Sequence, residues 1–250
     1  DVCSSDLRKA GRDMLKLWCM DKLRDDLITA LGSKNGTAYG SASEAVKDAW
    51  LAANSDRVLF GDAIGNGGYT DHSADLATVT SAMTLGAAEV SLMKRIAKTA
   101  DPHIRPMRVN NNMSREYYVL FTDSRCFRDL KADTTITAAN REARPRDVDA
   151  NPIFQDGDLI YDGVIIKEVP EIDSLGTVGA TSAAVSPAYL CGAQALVVAW
   201  GQEPRSTVDV RDYKFRYGVG IEECLGVGKI QFNGKDHGMV TGYFGAAADA

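Results

Sequence analysis

The residue types able to do chemistry in this chain of 250 residues are thinly spread. Its three histidines, His72, His103 and His237, have no second histidine within a helical turn, so no histidine-based metal site is expected. The five cysteines, Cys3, Cys19, Cys126, Cys191 and Cys224, are odd in number, widely spaced and form no CxxC pair. They read as buried, inert thiols in a reducing compartment. Serines, histidines and aspartates could be combined into a triad, but no G-x-S-x-G elbow singles out a nucleophile. Asp25-Asp26, Asp156/Asp158 and Glu222-Glu223 have the make-up of an acid and a base or of Mg²⁺ ligands, and equally of solvated faces and hairpin ends. The glycine-rich run from Gly61 to Gly68 lacks the lysine of a P-loop, and Gly218-Val219-Gly220 lacks the third glycine of a dinucleotide fingerprint. No catalytic residue, cofactor or metal is therefore expected.

The elements that would position such residues can be read from periodicity. Leu17, Met20, Leu23, Leu27 and Leu31 recur every three or four residues, which predicts an amphipathic helix from Arg8 to Leu31 closed by Gly32. Ser41 and Glu44 have capping-box spacing ahead of a shorter helix carrying Val46, Ala49, Trp50 and Ala53. A short strand is expected at Arg57 to Phe60 and a surface loop from Gly61 to Asp75. Met83, Ala87, Val90, Met93 and Ala97 predict a third helix from about Thr80 to Thr99, stopped by Asp101-Pro102 and about 30 Å long. Sheet follows, at Ile104 to Val109 and Tyr117 to Phe121, around a turn at Asn110-Asn111-Asn112. Thr122 or Asp123 would cap a helix containing Cys126, Phe127 and Leu130, and a poorer helix spans Thr134 to Arg144. Asp162-Gly163, between Leu159-Ile160-Tyr161 and Val164-Ile165-Ile166, suits a type I′ hairpin turn. The segment Ala180 to Gly201 is ambiguous. Strands are expected at Arg205 to Val210, Tyr213 to Tyr217 and Lys229 to Phe232, with glycines marking bends between them.

Composition narrows the function. A 45% hydrophobic content supports a real core, and a net charge of −6 argues against a dedicated nucleic-acid binder. No run reaches the roughly 20 apolar residues needed to cross a bilayer. Charge is uneven, however. From Ile104 to Arg146 nine basic residues face five acidic ones, a net of +4, whereas Asp147 to Asp173 carries a net of −7. Adjacent opposite blocks suggest internal pairing or a head-to-tail contact between copies, with Arg141, Arg144 and Arg146 of one subunit meeting Asp156, Asp158 and Asp162 of the next.

Taken in order, several segments resemble one family. They are Leu15-Lys16-Leu17-Trp18 with Leu27-Ile28; Ser55-Asp56-Arg57-Val58-Leu59-Phe60-Gly61; the third helix followed by Ile104-Arg105-Pro106; and Tyr118-Val119-Leu120-Phe121 with Arg128-Asp129-Leu130-Lys131. Asn151-Pro152-Ile153-Phe154, Tyr161 to Ile166, Gly192-Ala193-Gln194-Ala195-Leu196 and Lys229-Ile230-Gln231-Phe232 complete the series. Their order and spacing resemble the major capsid proteins of N4-like tailed bacteriophages, which carry the Hong Kong 97 capsid fold. The resemblance implies an α+β subunit with a long spine helix in a peripheral domain and an axial domain of mixed sheet and helices. On this chain it implies a mainly peripheral domain at 8–116 with the spine at about 80–100, a mainly axial domain at 117–210, and return strands at 211–250. It also implies a structural role: self-assembly into pentamers and hexamers of an icosahedral shell around double-stranded DNA, assembled in the host cytoplasm, with portal, scaffolding and decoration proteins as further partners and no membrane. The family's N-terminal arm and extended two-stranded loop are not visible before Arg8. Asp1-Val2-Cys3-Ser4-Ser5-Asp6-Leu7 reads as the translation of a sequencing-library adapter, so these seven residues are expected to be foreign and the natural upstream sequence lost.

Two other readings stand beside this one. An encapsulin-like nanocompartment shell would share the fold and need a cargo-binding inner pocket. A soluble intracellular α+β enzyme would use the Gly61 to Asp75 loop as a ligand lid.

Overall fold

A computed structural model describes residues 2–108, 116–142, 159–213 and 215–249, with side chains at all of these except 2–8 and 139–142. The chain opens with α1 (Val2–Gly32), followed by α2 (Glu44–Ala53), β1 (Val58–Phe60), α3 (His72–Leu76) and α4 (Ala87–Thr99). Next come β2 (Met107–Arg108), β3 (Glu116–Thr122), α5 (Ser124–Ala132), α6 (Thr134–Glu142), β4 (Leu159–Tyr161) and β5 (Val164–Glu168). The C-terminal part is almost all strand: β6 (Val185–Cys191), β7 (Leu196–Arg211), β8 (Arg216–Lys229), β9 (Gln231–Phe232), β10 (Lys235–Asp236) and β11 (Met239–Gly245).

Seven strands form a mixed sheet in the order β1-β11-β6-β3-β5-β4, with β2 paired to the first residues of β3. The β1–β11 and β3–β5 pairs are parallel and the others antiparallel. Side chains alternate between two covered faces, as strand geometry requires. Ala188 and Leu190 of β6, with Val240 and Phe244 of β11, join Val90, Met93 and Ile96 of α4 and Phe127 and Leu130 of α5 in the largest core cluster. Tyr189 and Cys191 of β6, with Met239, face the other way and pack with Leu31 of α1. Trp50, Leu51, Phe60, Leu76 and Tyr243 fill a third cluster under α2 and α3.

Burial on both faces explains the ambiguity between Ala180 and Gly201. All seven residues of β6 are buried, so the polar alternation that marks a half-exposed strand is absent. Pro187 also argues against a central strand, but β3 pairs with β6 only as far as Ala188, so Pro187 has β11 alone for a neighbour.

Local signals set several boundaries as expected. Asp123 caps α5, its carboxylate accepting from Cys126 N at 2.9 Å, and Asp162 and Gly163 take φ values of 48° and 72° in the β4–β5 turn. Other expectations shift. The cap of α2 is Ser43 rather than Ser41, because Tyr39–Ser41 forms a 3-10 turn of its own. The third helix begins at Ala87, giving 13 residues and about 20 Å instead of 30. Residues 80–86 are drawn off into other bonds: Met83 O accepts from Gly245 N, and Gly86 N donates to Glu89 at 3.0 Å as the helix cap. The strand expected from Ile104 shortens to β2, and the Asn110 to Asn112 turn lies outside the described residues. The Gly61 to Asp75 stretch is not all loop, since α3 starts at His72.

The largest difference is the ribbon formed by β7 and β8, of 16 and 14 residues, where short strands separated by bends were expected. Gly218, Gly220, Gly226 and Gly228 lie inside β8, all on one face. Val219, Ile221, Glu223, Leu225 and Val227 occupy the other face, where α1 packs, with Cys19 Sγ donating to Glu223 at 3.0 Å. At 31 residues and about 46 Å, α1 is the longest helix among the described residues.

Candidate assembly surfaces

Three of the residues singled out for catalysis are occupied in holding the structure, and Asp156 and Asp158 lie outside the described residues. Asp26 pairs with Lys22 at 3.0 Å, Glu222 with Arg205 at 2.7 Å, and Glu223 accepts from Cys19. In the glycine-rich loop, Gly68 N and Tyr69 N both donate to the Asp75 carboxylate at 2.7 Å, so these backbone amides already hold an internal anion. Glu44, Asp48 and Asp71 bring carboxylate oxygens within 4.8 Å of one another. Each has a structural partner: Lys47 for Glu44, His72 N for Asp48, and Ala74 N for Asp71, which caps α3.

Of the six residues expected to join neighbouring copies, Asp162 pairs with Lys94 of α4 at 2.8 Å, within the same subunit. Arg141 lies in α6. Arg144, Arg146, Asp156 and Asp158 lie outside the described residues.

A polar knot that the sequence did not disclose anchors the root of the ribbon. Asp236 Oδ2 accepts from Trp50 Nε1 at 3.0 Å and from Lys229 Nζ at 3.1 Å, while its Oδ1 accepts from Gln231 at 2.9 Å. Burial opposes ionisation of this carboxyl, but Lys229 and the donors from Gln231 and Trp50 keep its pKa below the usual range. The buried Arg57 donates to Asp236 O and Asp101 O and pairs with Asp56. Burial pushes Asp56 upward, yet Arg57, the Asp101 amide and Lys235 outweigh it and hold the carboxyl at about 2. These partners lie up to 186 residues apart, so no spacing rule could have found them.

Next to the knot, Lys34 is 1% exposed with its Nζ 3.3 Å from the centroid of the Trp50 ring. Burial, and then Lys229 nearby, push its pKa well below the ordinary lysine value. His72 Nε2 lies 3.1 Å from Tyr243 Oη, and the ring stands among Tyr39, Trp50, Phe60 and Tyr243. Burial, followed by Lys34 and Lys47, lowers its pKa to about 3. These groups sit inside a packed aromatic cluster, and the arrangement braces structure.

What the molecule leaves uncovered is apolar. On α1, Met14, Leu17, Trp18 and Met20 are 54–70% exposed, so the expected helical stripe is covered only toward its C-terminal end, where Leu31 is buried. On the ribbon, Val197, Trp200, Val208 and Val210 are exposed, and Tyr213 and Phe215 at its tip are 96% and 84% exposed. Large apolar side chains left exposed on one helix and one ribbon are candidates for an interaction surface.

Comparison with known proteins identifies the family. A family profile described as "Phage capsid protein" matches residues 3–246. The chain belongs to this phage capsid protein family. A cyanophage Pam1 capsid chain superposes with a TM-score of 0.88 at 46% identity, over 97% of this chain and 70% of that one. The Ralstonia phage GP4 capsid shares the fold, with a TM-score of 0.70 at 21% identity over 98% and 69% of the two chains. The major capsid protein of Pseudomonas phage KPP25 is 28% identical over 96% of this chain and 68% of its own length. The phage capsid fold expected from sequence, of mixed helix and sheet in the Hong Kong 97 manner, is therefore the fold observed. This is a structural major capsid subunit of a bacteriophage and not an enzyme, which sets aside the ligand-lid reading of Gly61 to Asp75. A phage capsid subunit builds its shell with other copies of itself, which makes the uncovered faces of α1 and the ribbon candidate contact surfaces.

Proposed function

We propose that copies of this chain assemble into pentamers and hexamers of an icosahedral shell enclosing double-stranded DNA, with α1 and the β7–β8 ribbon as the seams. The observation that carries this is the exposure of Met14, Leu17 and Trp18 on α1 together with Tyr213 and Phe215 at the ribbon tip. A lone subunit gains nothing from these side chains, while heterologous contacts repeated by symmetry bury them in every copy.

The domain division follows the same logic. The spine role goes to α1, which is longer than α4 and lies along the ribbon, whereas α4 packs on the central sheet. The peripheral domain is then α1 with the ribbon, and the axial domain is the central sheet with α4, α5 and α6. This proposal differs from the division expected from the resemblance, at 8–116, 117–210 and 211–250, in where it puts the spine. The Arg141, Arg144 and Arg146 block meets Asp156 and Asp158 of a neighbouring copy. Asp162 leaves that set, being held by Lys94. Portal, scaffolding and decoration proteins are the further partners, and the host cytoplasm is the place of assembly.

Electron microscopy of the full natural chain tests the reading. Shells or capsomers are expected; a monomer that persists at tens of micromolar overturns it.

A further inference from the structure

We propose that a groove at the C-terminal end of α4 binds the phosphodiester backbone of the enclosed DNA, which makes this face of the subunit the inner face of the shell. The proposal rests on the shell reading and adds to it the surface that meets the DNA.

The groove measures about 650 Å³. Lys98 comes from the last turn of α4, His103 and Arg105 from the connection that follows, and Arg108 from β2. Tyr118 is part of the wall, its Oη fixed by donation to Ile104 O at 2.9 Å.

Concavity and pairing together mark this cluster. Many exposed bases elsewhere hold carboxylates, as Arg24 does Glu171, Arg128 does Asp129 and Asp249, Arg205 does Glu222 and Arg211 does Asp209. Lys9, Arg12 and Lys16 stand without an ion pair among the described residues, but on the face of α1 and not in a groove. In the groove, Lys98, His103 and Arg105 are all exposed, and among the described residues none forms a side-chain hydrogen bond or ion pair. Only Arg108 has a partner, Glu116 at 3.5 Å, in a pair that is half exposed and easily exchanged. Concentrating unpaired bases in one concavity of a chain with net charge −6 is unfavourable by self-repulsion unless an anion neutralises them.

The acidic block at 147–173 is the competing partner. Of its described members, Asp162 and Glu171 are held by Lys94 and Arg24 within the subunit, which leaves Glu168 and Asp173 as single exposed carboxylates. A polyanion with closely spaced charges matches four bases along one groove better than two separate carboxylates do. The chemistry fixes its class: point charges spread along a groove and no buried donor aimed at a base edge, hence phosphate contacts without sequence preference.

The test uses subunits of the full natural chain before assembly and a fluorescent double-stranded oligonucleotide, with anisotropy followed from 50 to 200 mM salt. Lys98→Gln/Arg105→Gln/Arg108→Gln alters three exposed side chains and is compared with the charge-matched Lys9→Gln/Arg12→Gln/Lys16→Gln on α1. The groove variant is expected to bind at least tenfold more weakly for any oligonucleotide sequence. Its log-affinity against log-salt slope should flatten by about 2.7, at roughly 0.9 for each phosphate no longer neutralised, while the α1 variant stays close to wild type. Equal loss in both variants, or no loss in either, overturns the proposal. So does a groove variant that keeps its DNA affinity but fails to form shells, since the groove then belongs to a neighbouring subunit. Failure of the unmutated chain to assemble strikes instead at the shell reading.

Discussion

The aromatic cluster under α2 and the tip of the ribbon use the same residue types in opposite ways. In the cluster, Trp50, Phe60 and Tyr243 are almost wholly buried, and even their charged neighbours Lys229 and Asp236 are 3% exposed and matched to one another. At the tip, Tyr213 and Phe215 stand in solvent on a turn that sets Asp212 and Tyr213 at φ of 56° and 50°, a backbone region unfavourable for side chains other than glycine. The first region is finished within one subunit. The second, on the proposed shell, is finished against another copy. In a capsid protein the two demands separate naturally: the sheet and its helices must fold before assembly, while the seams must stay open until neighbours arrive.

Breaking the finished region should have the largest effect. Trp50→Ala removes a side chain that packs in the core, carries Lys34 on its face and donates to Asp236. A loss of about 3–5 kcal/mol in folding free energy is expected from chemical denaturation. The root of the ribbon should become the most exchangeable strand segment in hydrogen exchange, because the knot at Asp236 is left without one of its donors.

Acid probes the same region more gently. Burial holds His72 at about 3, against about 6.5 for an exposed histidine. Between those values the unfolded chain carries one proton more than the folded one, so stability rises with pH there and falls as pH drops below 6.5. The slope is about 1.4 kcal/mol per unit. Denaturation at pH 6.5 and 4.5 should therefore differ by about 2.3 kcal/mol from this residue alone, since the unfolded histidine is only half protonated at pH 6.5. His72→Gln keeps a hydrogen-bonding group beside Tyr243 and should flatten the decline in that window; an unchanged slope would show that His72 is not buried in neutral form.

The sequence disclosed those parts of this contrast that depend on near neighbours. The Asp162-Gly163 turn and the Asp123 cap are set by two to four consecutive residues, and both appear where expected. The strand β6 was obscured because burial on both faces removes alternation. The ribbon was obscured because glycine at 218, 220, 226 and 228 reads as a series of bends until β7 is seen opposite, pairing Val197 with Gly228 and Thr207 with Gly220. The third helix was drawn too long because Met83 lies in phase with Ala87 and Val90, while the bond from Gly245 to Met83 that keeps it out of the helix spans more than 160 residues. As for the site, exposed apolar residues on α1 and a buried stripe look identical in periodicity. Only the packing shows that Leu17 and Met20 are left uncovered while Leu31 is not.

The smallest expected effect on folding is the most informative about assembly. In Tyr213→Gly/Phe215→Ser, two side chains that stand almost entirely in solvent are removed, so no cavity forms. Glycine relieves the left-handed backbone at 213 but raises the entropy of the unfolded chain, and the two changes largely offset each other. Denaturation of the isolated subunit should stay within about 0.5 kcal/mol of wild type, the usual range for surface changes. If the tip is a seam, the same variant should lose most of its assembled fraction by sedimentation under conditions where the wild-type chain forms shells, because exposed aromatics are the side chains that dominate interfaces once covered. Normal shells from a subunit of normal stability would remove the tip from the seam and leave α1 to carry it. A destabilised subunit would mean that the tip packs against its own chain, and the contrast between finished and unfinished regions would fail at that point.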